Sequence, residues 1–140
     1  MIAAEIDPVV RVNAKHILIV DDEVETVSVL KQVLSNKGYR VSLALDGNEG
    51  IAIIEFDQPD LVILDIAMPK RSGLLLLEYL REELDFRNPV IMLTGVDGRR
   101  HSLYAKTLGA DDFVRKPYAI DDLVHRVERL VANSVGNSDT

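Results

Sequence analysis

The chain has 140 residues, 47% hydrophobic and 28% charged, a balance that suits one domain able to bury a proper core. Its 16 Lys and Arg against 23 Asp and Glu leave a formal charge of -7, which on average repels nucleic-acid backbones and anionic membranes. Cysteine is absent, so disulfides, thiolate metal sites and a cysteine nucleophile are excluded.

Met1 to Ala14 carries Glu5 and Asp7 and lacks a basic segment followed by an apolar core, so it does not read as a secretory signal. It is taken as an N-terminal extension, residues 1–14. No apolar run approaches the roughly 20 residues that span a bilayer, and a cytoplasmic protein is expected. His16 to Val20 is a β-branched run that stops abruptly at Asp21-Asp22, the look of a strand covered on both faces. From Val24 to Lys37, Val27, Leu30, Val33 and Leu34 recur at helical spacing, and Gly38 is a plausible stop. Tyr39 to Leu45 reads as a second strand, and the turn signal Asp46-Gly47 opens a helix through about Phe56.

Leu61 to Leu64 and Val90 to Leu93 are the third and fourth strands, each preceded by a proline-containing turn. A helix from Leu74 to Glu83 lies between them, after Gly73. Leu74 to Leu77 reads as core with one or two exposed leucines. Another helix, about Arg99 to Leu108, ends at Gly109, and Phe113 to Arg115 forms a fifth strand before Lys116-Pro117. The last helix is expected over Ile120 to Val131, with Asp121 and Asp122 in its first turn opposing the dipole. Residues 15–132 thus form the domain, and 133–140 read as a flexible polar tail. His16, His101 and His125 show no metal spacing.

Strands alternating with single helices imply a doubly wound, five-stranded parallel α/β sheet of flavodoxin-like order 2-1-3-4-5. In such a sheet the carboxyl ends of the strands lie side by side. Asp21, Asp22, Asp65, Thr94 and Lys116 would then share one pocket. Three carboxylates, a hydroxyl and an ammonium are equipment for holding Mg²⁺ and a phosphoryl group, with Asp65 as nucleophile. Alone, Asp21-Asp22 would serve equally well as a helix N-cap.

Five motifs in order complete the pattern: Asp21-Asp22-Glu23, Asp65-Ile66-Ala67-Met68-Pro69 with Gly73, Thr94-Gly95, Gly109-Ala110-Asp111-Asp112-Phe113, and Lys116-Pro117. Over about Lys15 to Val131 the chain resembles the receiver domain of two-component response regulators. The resemblance implies that Asp65 accepts a phosphoryl group from a histidine kinase or histidine phosphotransfer protein. It implies Mg²⁺, with Mn²⁺ as a substitute, bound by Asp22, Asp65 and the Ala67 backbone carbonyl, with Asp21 acting through water. Lys116, aimed by a cis bond to Pro117, and Thr94 would contact the phosphoryl group, and Thr94 with Phe113 would form a switch. Output is expected through protein contact, to a downstream target or a second copy, at the face made by the fourth helix, fifth strand and last helix.

Ala67 and Val96, which flank the path of an attacking water, are predicted to affect the lifetime of the acyl phosphate. Arg115 and the Arg99-Arg100 pair read chiefly as solvated surface, with a basic edge on the output face as the alternative. A magnesium-dependent phosphohydrolase of the haloacid dehalogenase type would want a second acid two positions after its nucleophile, and Ala67 stands there instead. A pseudo-receiver interaction module would lack an acid or the lysine, whereas this chain keeps them all.

Overall fold

In the computed structural model, residues 14–68, 72–95 and 99–138 are described. Five strands, β1 His16–Val20, β2 Arg40–Ala44, β3 Leu61–Asp65, β4 Val90–Thr94 and β5 Asp112–Arg115, alternate with α1 Val24–Asn36, α2 Gly47–Phe56, α3 Gly73–Glu82, α4 Arg99–Leu108 and α5 Ile120–Ser138. The sheet has the order β2-β1-β3-β4-β5, with every neighbouring pair parallel. This is the flavodoxin-like fold expected from the alternation of elements.

The uninterrupted apolar strands have a simple cause. Successive side chains point to opposite faces, and both faces are covered. Leu18, Val20, Val62, Leu64, Val90 and Met92 pack with Ile54 of α2, Leu76, Leu77 and Leu80 of α3 and Ala105 of α4. Ile17, Ile19, Leu61, Ile63, Ile91 and Leu93 pack on the other side with Val27, Leu30 and Leu34 of α1 and Leu123, Val124, Val127 and Val131 of α5. The β2 edge strand is only partly buried, which explains its looser alternation. Gly38, at φ 102°, ends α1 in the left-handed region, as its position predicted.

Several boundaries differ from those expected. Both β3 and β4 run one residue further, so Asp65 and Thr94 are the last residues of their strands. Asp65 stays in register with Leu93, and the Ile66 N–H continues the ladder to the Leu93 carbonyl at 2.9 Å. The last helix does not stop at Val131 but continues to Ser138, so most of the segment read as a polar tail is helical. Propagating a formed helix by one residue closes one more hydrogen bond, so weak helix formers such as Asn133 and Gly136 need not end it. Residues 1–13, Pro69 and Val96 lie outside the described residues, as do the side chains of Arg99 and Arg100.

Two polar clusters fix the frame. Arg81 of α3 donates from Nε and Nη2 to the Gly109 carbonyl, from Nη1 to the Phe86 and Asn88 carbonyls, and from Nη2 to Asp111 Oδ2. The same Asp111 oxygen accepts the Val90 N–H at 2.9 Å. One guanidinium therefore ties α3 to the start of β4 and to the end of α4, using all its donors. At the amino end of the sheet His16 is 2% exposed, with Nε2 2.7 Å from Ser42 Oγ and its backbone N–H on Asp60 Oδ2. Burial and the nearby Arg40 hold its imidazole below the ordinary histidine range. Of the three histidines read as unremarkable, this one is a structural member of the β1–β2 edge.

Candidate functional site

Every residue of the site is delivered by a strand end. After Val20 the chain turns, and the Asp21 N–H donates to the Ala44 carbonyl at 3.0 Å, which holds Asp21 to the sheet. Its side chain is buried, and Oδ1 accepts the Glu23 N–H at 3.0 Å. Asp22 is exposed. The cap residue of α1 is Glu23, which makes no side-chain capping bond, so neither Asp21 nor Asp22 occupies the N-cap position.

Asp65 is 3% exposed. One oxygen accepts a long hydrogen bond from the Ala67 N–H at 3.4 Å, and the other lies 3.5 Å from Lys116 Nζ. Burial, and then the charge of Asp21, push its carboxyl up to about 6, against the pull of Lys116 and the Ala67 N–H. The loop after Asp65 is closed by Gly73, whose N–H donates to the Ile66 carbonyl at 2.8 Å. A β-carbon on Gly73 would sit 2.1 Å from the Asp65 carbonyl oxygen, so only glycine lets α3 start here.

Lys116 follows β5, and its peptide bond to Pro117 is cis. Its N–H donates to the Thr94 carbonyl at 2.6 Å, which joins the ends of β4 and β5. Nζ lies 3.0 Å from Asp21 Oδ2 and closer still to Glu23 Oε1. Burial opposes the charge on this ammonium, but its hydrogen bond to Glu23 and the nearby charges of Asp21 and Asp65 outweigh it and raise its pKa. Thr94 is buried at the same rim. Phe113 is half-buried and packs against the side of the core covered by α2, α3 and α4.

Asp21, Asp22 and Asp65 each offer a carboxylate oxygen, and these oxygens lie within 4.8 Å of one another. Asp21 Oδ2 is buried and has no hydrogen bond of good geometry, although the Lys116 ammonium is nearby. Clustered acids, an unfilled buried acceptor and an all-oxygen donor set fit a hard divalent cation. Two participants escaped the sequence reading. Glu23 was part of a motif but had no role, because its pairing with Lys116 spans 93 positions. Tyr118, half-buried with a hydroxyl lacking a hydrogen-bond partner, stands beside Lys116 in the cleft wall; only its place two residues after the lysine hinted at this.

Comparison with known proteins agrees with this architecture. Residues 17–128 match the family model of the response regulator receiver domain. A transcriptional regulatory protein of Streptococcus agalactiae, DltR, is 40% identical over 112 residues, covering 80% of this chain and 50% of that protein. The receiver domain of NtrX from Brucella abortus is 33% identical with a TM-score of 0.77, covering 83% of this chain and 98% of its own. A CheY-like receiver domain protein from Methanospirillum hungatei is 32% identical with a TM-score of 0.84, covering 89% and 99%. The chain belongs to the response regulator receiver domain family of two-component systems. It spans about half the length of the curated relatives it matches.

Proposed function

We propose that Asp65 accepts a phosphoryl group from a histidine kinase or histidine phosphotransfer protein, in a reaction that depends on Mg²⁺, and that this switches a protein-interaction face. The observation that carries the reading is the buried Asp65 carboxylate, 3.5 Å from Lys116 Nζ and clustered with Asp21 and Asp22. Asp65 attacks the phosphorus, an oxygen–phosphorus bond forms, and the donor's nitrogen–phosphorus bond breaks as the imidazole leaves. Like charges meet in that step, so positive charge must face the transferred oxygens. Lys116 supplies it from the chain, and Thr94 offers a hydroxyl at the same rim.

Asp21, Asp22, Asp65 and the Ala67 carbonyl would hold Mg²⁺ or Mn²⁺, and the cation would supply further charge neutralisation. Thr94 and Phe113 would then couple the site to the surface of α4, β5 and α5. On that surface Leu103 and Tyr104 of α4 are exposed, and Arg126 of α5 pairs with Asp112 and Asp122. Because the matched relatives are transcriptional regulators and the match covers about half of each, the switched face would act on a transcriptional effector in the cytoplasm. The test is intact-mass analysis after incubation with acetyl phosphate and Mg²⁺. Gain of one phosphoryl group by the wild type and none by Asp65→Asn is expected; equal labelling of both would remove Asp65 from this role.

A further inference from the structure

Glu23 touches the machinery without belonging to the acid cluster. Its carboxylate makes the closest ion pair of the Lys116 ammonium, which also lies 3.0 Å from Asp21 and 3.5 Å from Asp65. The backbone beneath it is fixed, because its N–H donates to Asp21 Oδ1 at 3.0 Å and its carbonyl accepts the Val27 N–H at 3.0 Å. The side chain makes no capping bond to α1, so the helix has no claim on it. Glu23 also lines a cleft of about 670 Å³ shared with Thr26, Val29, Lys116 and Tyr118.

A lysine ammonium has three donor directions and no acceptor. Here three carboxylates surround it, so an arriving anion gains Lys116 only if one of them lets go. Asp21 and Asp65 are buried and would be left as uncompensated charges. The Glu23 side chain is 54% exposed, and water can replace its partner at little cost.

We infer that Glu23 is a positioning residue, a carboxylate latch that holds Lys116 in the resting site and competes with the incoming phosphoryl group for its ammonium. This rests on the reading of Asp65 as phosphoacceptor. Reach is the essential property of such a latch. Aspartate at this position keeps the charge but is one methylene too short to hold Nζ in the same place, whereas glutamine keeps the length and loses the charge.

The experiment is a titration of the full chain with beryllofluoride at saturating Mg²⁺, read from amide shifts, in wild type, Glu23→Gln and Glu23→Asp. Mg²⁺ affinity is measured first in each protein so that saturation is assured. Both variants should bind beryllofluoride about two- to fivefold more tightly than wild type, the scale of a partly exposed ion pair. Equal affinities in all three, or weaker binding in the variants, overturn the latch. Tighter binding by Glu23→Gln alone also overturns it, since charge repulsion and not reach would then be at work. No binding by the wild type overturns the Asp65 reading itself, and the latch with it.

Discussion

Replacing Asp65 with Asn should stabilise the protein in the absence of divalent cations. The carboxyl is raised from 3.8 to about 6 in the fold, chiefly by burial. That gap of about 2.2 pH units, at about 1.36 kcal/mol each, makes the ionised group cost about 3 kcal/mol. The sign follows from proton counting. Between pH 3.8 and about 6 the folded state holds more protons at this site than the unfolded one, so stability falls as pH rises through that window. Above it the whole penalty is present; below pH 3.8 it vanishes. Asn mimics the protonated carboxyl at every pH. Unfolding entropy of about 2.1 cal/mol/K per residue turns 3 kcal/mol into a rise of about 10 °C in Tm. The assay is thermal and urea unfolding of both proteins in EDTA at a series of pH values from 4 to 8. A variant no more stable than wild type at neutral pH, or an advantage that does not shrink on acidification, would refute the claim that burial strains this carboxylate.

Three further outcomes are expected. Mg²⁺ should raise the Tm of the wild type more than that of Asp65→Asn, since a ligand that binds only the folded state stabilises by mass action; equal shifts would place the cation elsewhere. Gly73→Ala should cost about 2 kcal/mol or more, because its β-carbon would meet the Asp65 carbonyl oxygen at 2.1 Å, and it should also perturb amide shifts around Asp65; an unaltered spectrum would show that α3 can start without glycine. Arg81→Met should cost about 3 kcal/mol in urea unfolding by taking the guanidinium donors from the Gly109, Phe86 and Asn88 carbonyls and the counter-charge from Asp111, and an unchanged midpoint would dismiss the clamp.

Most of the frame was legible because the physics that makes it is local or periodic. Buried parallel strands read as short apolar runs, and the order of elements restricts the topology to few choices. The meeting of Asp21, Asp22, Asp65 and Lys116 followed from that topology, since each stands at the carboxyl end of a strand. What stayed hidden depends on side chains crossing long sequence distances. Arg81 as a five-donor clamp, Glu23 on Lys116 and His16 against Ser42 leave no mark in spacing or composition. The end of α5 was missed for another reason: composition signals a start or stop only weakly once a helix has formed.

On the proposed reading, strand ends remote in sequence converge so that Asp65 takes a phosphoryl group while Lys116 and Thr94 meet its oxygens. A crystal structure of the chain with beryllofluoride and Mg²⁺ tests it most directly. Beryllium is expected to be bonded to an Asp65 carboxylate oxygen, with the cation between Asp21, Asp22 and Asp65 and the fluorines contacted by Lys116 Nζ and Thr94 Oγ1. Beryllofluoride bound to another carboxylate, or a cation seated away from the three acids, would contradict it.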